Sequence, residues 1–453
     1  MPLSWPSQFE GVMGRLNRGF LAFIFLLAPN PAVAISLNRI IGDAVTHNPQ
    51  QQANDLTVES YKLDAEGTRK DAIYPQVNIS VGETRTQYNQ TLPGTNMMNA
   101  GVSATETVYD GHAALDSAKS LAWEAKAQQA LYESTDPYVP YTAGSVASQV
   151  FNLYVSWASY QATRDLNQKA VNFMQDVLPL THDSKALALL NSTIQSDQDQ
   201  VSANNKNMNE TFADLCYYSF TKLPPNIDDF VQTNAQMKQD LYPYEDVQKA
   251  ISTAKQRNYD YLARLYQLKQ TIYQDRATRA TLTRPVVTIA LGDSWSENQT
   301  IAMTVPPTAS NGPYVGMEVT MPISFGLSDH LQASHFRVLA AEKQVNQQEA
   351  DFTYTIESTF RKLDDVDAET AEFDATTQAD DMLISNFIQQ HIRHQTTFTY
   401  NDVIQLSSLL GNWAQSDANY IGALSQAITY RYNLEVAIGI LFDSVGYHNS
   451  SKF

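Results

Sequence analysis

Only one of the 453 residues, Cys216, is a cysteine. An intramolecular disulfide framework is therefore excluded, and the fold must be held by packing or by assembly. Basic residues are also scarce: 30 Lys and Arg stand against 48 Asp and Glu, a formal net charge of −18 at pH 7. That excess of acid would repel phosphate backbones, which argues against nucleic acid as a partner. Downstream of residue 34 every long segment is interrupted by charged or amide side chains, so none reads as a membrane-spanning helix. Entry into a bilayer would require a β-barrel, whose alternating strands leave only a weak hydropathy signal. Neither a GxxxxGK(S/T) loop nor a GxGxxG run is present, so energy from a nucleotide would have to come from other proteins.

What is present begins at the N-terminus. Arg15 and Arg18 precede an unbroken apolar stretch from Gly19 to Ala28, followed by Pro29-Asn30-Pro31 and Ala32-Val33-Ala34. A basic region, a short apolar core and an A-x-A site predict a secretory signal peptide, residues 1–34, cleaved after Ala34. The apolar core is about half the length that a spanning helix requires. No cysteine follows the cleavage site, so a lipid-anchored N-terminus is not indicated. Residues 1–34 hold Arg15, Arg18 and Glu10, so their removal takes the charge from −18 to −19.

The chain repeats itself. Ala44, Asn48 and Pro75 have counterparts at Ala254, Asn258 and Pro285, and Gly101, Gly111 and Ala118 at Gly316, Gly326 and Ala333. The sequence divides into repeats at 35–240 and 241–445, with a C-terminal tail at 446–453. Each half reads as helix, two strands and long helices. In the first half, Leu37 to about Ile73 is helical, with Leu37, Ile40, Ile41, Ala44 and Val45 in one stripe. Pro75 ends it. Val77, Ile79 and Val81 alternate with Asn78, Ser80 and Gly82, predicting a strand over about 76–88 with one apolar face. A second strand is expected over 101–109. In the second half the corresponding strands fall at 286–298 and 314–323.

Long helices follow at about 113–220 and 327–442, interrupted in the first half by Pro137, Pro140 and Gly144. Val146, Val150, Tyr154, Ala158 and Ala162 form one apolar stripe. Runs of this length greatly exceed the ~11-residue globular mean and point to a coiled coil or helical tube. Abundant Ala permits close helix approach, while the remaining surface is polar enough to face water on both sides of a tube wall. Four strands cannot close a barrel, whereas threefold association would give twelve, within the outer-membrane range. The expected class is mainly α with a small β part. The duplicated unit reads helix–strand–strand–long helix.

Signals for chemistry are thin. Gly292-Asp293-Ser294 sits at the end of a predicted strand, without the strand-turn-helix context a nucleophile needs. Trp295 beside it reads as an interfacial girdle aromatic. His391 and His394 share a helical face but have no third metal ligand in spacing, and read as exposed helix histidines. Asp364, Asp365, Asp367 and Glu369 form a solvated acidic face. Neither catalysis nor a cofactor is expected.

In its local motifs the chain resembles the TolC-like outer membrane factors over nearly all of residues 36–444. Ser36-Leu37 with Ala44, Asn48 and Pro49 resembles the family's opening, and Tyr74-Pro75-Gln76-Val77 its entry into the first strand. Tyr109-Asp110-Gly111 with Ala118, and Thr320-Met321-Pro322-Ile323-Ser324-Phe325-Gly326, resemble its two strand-to-helix junctions. Asn401-Asp402-Val403-Ile404, then Tyr420, Tyr430, Leu434 and Ala437-Ile438-Gly439, resemble its closing segment.

The resemblance implies a homotrimeric, non-enzymatic export duct in the cell outer membrane, extending into the periplasm: a trimeric 12-stranded outer-membrane β-barrel continued by a periplasmic α-helical barrel. It would contact outer-membrane lipid and work with a periplasmic adaptor protein and an inner-membrane pump, in efflux or type I secretion. The helix turns at the periplasmic tip would lie near 178–183 and 394–400. Asp402 matches a family constriction carboxylate, Gln405 stands where a second acid is common, and Asp183 occupies a loosely corresponding place. Adaptor-docking candidates are Leu180, Thr181 and His182 with Thr397, Phe398 and Thr399, although the family's usual tip glycine is missing. The competing expectation is a periplasmic or surface coiled-coil adaptor or adhesin without a pore, for which a lipid-facing sheet has no use.

Overall fold

The computed structural model describes residues 34–86, 95–134, 142–220, 223, 227–300, 308–323, 325–393 and 397–447. The expected signal peptide, the Pro137 and Pro140 break and His394 lie outside the described residues. The first half opens with α1 (Leu37–His47) and α2 (Pro49–Asp71), then strands β1 (Gln76–Thr86) and β2 (Thr95–Tyr109). Helices α3 (Ala113–Glu133), α4 (Ala143–Val177) and α5 (Ser184–Tyr218) follow, then a short α6 (Phe230–Leu241). The second half runs α7 (Val247–Arg257), α8 (Tyr259–Thr283), β3 (Val286–Thr300), β4 (Thr308–Thr320), α9 (Leu327–Arg393), α10 (Tyr400–Ile438) and the single turn α11 (Leu441–Ser444).

The expected single helix from Leu37 to Ile73 is in fact two. Asn48 precedes Pro49 and is held extended at φ −68°, ψ 119°, because the proline ring disfavours a helical residue before it. Asn48 then caps α2, its Oδ1 accepting from the Gln50 N–H at 2.9 Å, with Pro49 at the first helical position. At the matching place in the second half, Asn258 caps α8 by accepting from the Tyr261 N–H at 2.8 Å. The break recurs there without a proline. The strands also differ from expectation. β2 begins at Thr95, because pairing with β1 and β3 carries it past its alternating part. β4 ends at Thr320, two residues before Pro322, which has no N–H for a ladder.

The strands form one antiparallel sheet in the order β1-β2-β3-β4. Its register gathers most of the apolar side chains on one face, although Asp293, opposite Val102, and Glu106, opposite Ile289, lie on that face too. Val77, Ala104, Leu291 and Val315 lie in one row across the sheet, while Asn78, Ser103, Gly292 and Tyr314 lie in a row on the other face. Below the sheet the helices keep the strand order: α2 packs on α3, α3 on α8 and α8 on α9. Farther from the sheet, α4 pairs with α5 and α9 with α10. The 67-residue α9 runs without a break for about 100 Å at 1.5 Å per residue.

Three apolar clusters hold the helices. One joins α1, α4, α6 and α10 around Ile40, Val150, Tyr154 and Tyr432. A second joins α7, α9 and α10 around Ala250, Ile356, Leu363 and Ile438. The third lies at the end remote from the sheet. α10 stops at Gly439, whose φ of +82° suits glycine and whose Hα side would place a Cβ 2.3 Å from the Arg257 carbonyl oxygen. The expected tail from residue 446 is partly docked, since the Tyr447 hydroxyl accepts from Gln51 Nε2 at 3.3 Å.

Candidate functional site

Two features at opposite ends of the long helices carry the functional geometry. At one end is the sheet. Its apolar row faces solvent: Val77, Leu291 and Val315 are 65%, 52% and 78% exposed. β1 and β4 each pair on one side only among the described residues, so both edges offer unpaired N–H and C=O groups. Exposed apolar surface of this extent calls for a lipid or protein covering. Gly292, Asp293 and Ser294 lie inside β3 and not at its end, so no strand-to-helix turn is available to present a nucleophile. Trp295 sits on the apolar face, opposite Ala100.

At the other end, two turns reverse the long helices. Val177 leads into a 3-10 turn at Leu178–Leu180, and α5 starts at Ser184. Asp183 caps α5, its Oδ1 accepting from the Lys185 N–H at 2.8 Å. The second turn joins α9 to α10 and is stitched to the first by a parallel bridge between Thr181 and Phe398, in which the Phe398 N–H donates to the Leu180 carbonyl at 2.9 Å. Thr181 is buried and donates its hydroxyl to the Val177 carbonyl at 3.0 Å. Phe398 is 1% exposed, with the His391 ring stacked on it at 4.1 Å and Phe387 edge-on at 5.9 Å. Val177, Leu190, Ile384, Val403 and Trp413 complete the cluster beneath.

α10 begins with a capping box. The Thr399 hydroxyl faces the Asp402 N–H, while Asp402 Oδ2 accepts from the Thr399 N–H at 2.8 Å and hydroxyl at 2.7 Å. Burial pushes the Asp402 carboxyl up, but the bonds from Thr399 and the nearby His391 outweigh it, and the group sits below its ordinary range. His391 Nε2 lies 3.8 Å from Asp402 Oδ2.

The candidate residues therefore meet at one end of the molecule, but they do not share one role. Asp183 and Asp402 are both engaged in starting a helix, and Gln405 is exposed one turn along α10. Of the six docking candidates, Thr181 and Phe398 are buried, Leu180 is half-buried, and His182, Thr397 and Thr399 face solvent. Sequence reasoning missed His391, which is packed between Phe398 and Asp402 and is not an exposed helix histidine. Its spacing of seven residues from Phe398 crosses a turn, so no helical periodicity could reveal the contact. The capping box was legible as Thr399-x-x-Asp402. Among the described residues, no group of three or more His, Cys, Asp or Glu could hold a metal, and no helix is long and apolar enough to cross a membrane.

By sequence, no family model and no curated protein matches the chain. By structure, it is similar over almost its whole length to solved outer membrane proteins. The outer membrane protein VceC of Vibrio cholerae matches with a TM-score of 0.67 at 12% identity, covering 89% of this chain and 96% of VceC. The outer-membrane channel OprN matches at 0.65 and 10% identity, covering 89% of each chain. The Campylobacter jejuni CmeC outer membrane channel matches at 0.60 and 12% identity, covering 92% of this chain and 87% of CmeC. This is the outer-membrane-channel fold. The channel fold accounts for a small sheet with one apolar face set on helices of such length. At these identities it is the fold that is shared.

Proposed function

We propose that the chain is one protomer of an outer-membrane channel-tunnel, a passive duct that carries solutes or proteins across the periplasm and outer membrane. The observation that carries this reading is the four-stranded sheet: one face mostly apolar, interrupted by Asp293 and Glu106, the other more polar, and both edges open. Three copies would join β4 of one to β1 of the next and close twelve strands, leaving no edge. Val77, Ile79, Leu291 and Val315 would then face lipid, Asn78, Ser80 and Ser103 would line water, and Trp295 would belong to the aromatic girdle. The chain would fall into repeats 35–240 and 241–445, each supplying one strand pair and its helices.

The stitched turns would form the periplasmic end. His182, Thr397 and Thr399 are the exposed positions there for a periplasmic adaptor, and Asp402, Asp183 and Gln405 the polar groups for a constriction. Energy would come from an inner-membrane pump, because a duct needs no chemistry of its own. The measurement that tests the proposal is extraction of the mature protein from outer membranes in mild detergent. A heat-modifiable trimer of roughly 140–150 kDa by threefold multiplication supports it. A water-soluble monomer or dimer would show that the strands form no barrel, and a coiled-coil adaptor or adhesin would replace the duct.

A further inference from the structure

The wall of helices directly beneath the sheet gathers six cations on one face. They are Lys62 and Arg69 of α2, Lys119 and Lys126 of α3, and Lys269 and Arg276 of α8. Four of these are held against aromatic rings. Lys126 and Lys269 lie 4.6 and 4.2 Å from the centroid of Trp123, and Lys119 and Arg276 lie 5.4 and 5.1 Å from that of Tyr273. Rings in such contacts fix a cation at the surface without neutralising it, although Lys119 also pairs with Asp116 at 3.6 Å and Lys62 with Glu59 at 3.7 Å. A groove of about 510 Å³ between α2 and α3 has a floor of Ala65, Leu115, Ala118 and Ala122 and a rim of Lys62, Arg69, Lys119 and Lys126, with Glu66 its one acid.

On α2 and α3 acids stand across from these cations. Asp64 and Asp71 stand two residues from Lys62, Glu66 and Arg69, and Glu124 two from Lys126; residues two apart point to opposite sides of a helix. In a chain of net charge −18, a face holding six cations stands out. The cationic face also grades toward the sheet. Ile73 and Leu115 are its apolar residues nearest the strands, and Arg69, Lys119 and Arg276 follow within about 20 Å of the sheet by helical rise. Apolar, then cationic with aromatic rings, is the order of groups met on leaving a bilayer through its headgroups.

We infer that this face is the outer face of the wall, and that Arg69, Lys119 and Arg276 bind the headgroups of anionic phospholipid in the periplasmic leaflet. The inference rests on the sheet being in a membrane. Lys62, Lys126 and Lys269 lie deeper and extend the positive potential that draws anionic lipid in. Acids on the other face would repel the same headgroups, so the charge asymmetry fixes the depth and tilt at which each protomer sits.

The test uses the full mature trimer in neutral detergent, titrated with dioctanoyl phosphatidylglycerol, dioctanoyl phosphatidylcholine or inorganic phosphate and read by native mass spectrometry. Phosphatidylglycerol should bind at least tenfold more tightly than phosphatidylcholine, and more weakly as salt rises. The triple variant Arg69→Gln, Lys119→Gln, Arg276→Gln should lose that preference, since each cation near an anionic surface contributes about 1 kcal/mol, or about fivefold. The deeper pair Lys126→Gln, Lys269→Gln should lose less, and Asp64→Asn with Asp71→Asn should lose nothing. Equal binding of the two lipids, a triple variant that keeps the preference, or a larger loss from the deeper pair would overturn the inference. So would displacement of the lipid by inorganic phosphate, which would mark a site for free anions. A trimer that inserts into membranes without lipid preference sinks this inference alone, whereas a soluble protein sinks the duct as well.

Discussion

Glu435 is 0% exposed, one turn from the end of α10. One carboxylate oxygen, Oε1, has no hydrogen-bond partner, and Oε2 accepts from the Ser444 hydroxyl at 3.3 Å. The neighbouring acid is Asp240, itself held by Asn38 at 3.0 Å and Gln236 at 2.9 Å. The buried cation one turn away does not help, because Arg431 is committed to Asp367 at 2.6 Å and Asn234 at 2.7 Å. Burial first, and Asp240 second, push the Glu435 carboxyl from an ordinary 4.5 up to about 8. Because the folded value is the higher one, the stability contribution is fully present below 4.5 and is lost as pH rises through 8. Between pH 5 and 8 the loss amounts to about 3 kcal/mol. Hydrogen exchange over residues 431–447, corrected for the intrinsic rate, should therefore lose about a hundredfold in protection across that range. Glu435→Gln, which cannot ionise, should flatten the profile and match the parent at pH 5. Parallel profiles for the two proteins would refute the reasoning, since they would mean that the carboxyl does not change state in the fold.

Other perturbations address the two ends of the molecule. Ile79→Arg adds a charge to the mostly apolar face, in the row that already carries Asp293 two strands away, and should cost about 2–4 kcal/mol on insertion into lipid, read as loss of the heat-modifiable form from outer membranes; undiminished insertion would mean that this face does not meet lipid. Phe398→Ala should cost about 3–5 kcal/mol by emptying the centre of the tip cluster, and exchange should rise at both turns, not only around residue 398. Thr399→Ala removes the cap of α10 at about 1 kcal/mol and frees Asp402, so its carboxyl should titrate at a higher pH in carbon-13 spectra. Gly439→Ala should cost at least ~2 kcal/mol, from left-handed backbone and the collision with Arg257, measured as a lowered unfolding midpoint.

The parts of the fold most legible in sequence were those set by local periodicity. Val77, Ile79 and Val81 announce a half-apolar strand, and Thr320-Met321-Pro322 announces the end of another. Offsets such as Asn48 to Asn258 reveal the second use of the unit. Less legible was anything decided by a neighbour remote in sequence. Thr95 to Ala100 belongs to β2 because two other strands pair with it, and nothing in its own pattern requires this. At the tip, Phe398 looked like a docking residue because an aromatic in a turn can face either way. Its burial follows from the bridge to Thr181, 217 positions earlier in the chain, and from His391 lying over it. Asp402 was noticed as a carboxylate, although its immediate partner, Thr399, makes it a cap first.

The unbroken length of α9 has a mechanical consequence. A helix cannot be stretched without breaking its own hydrogen bonds, so α9 is a ruler. It fixes the separation between the sheet and the bridged turns at about 100 Å. Removing seven residues from α9 alone would draw its lower end up by about 10 Å and carry Phe398 out of reach of Leu180. Length in this protein can therefore change only in concert, with matched insertions or deletions in all the helices that run beside α9.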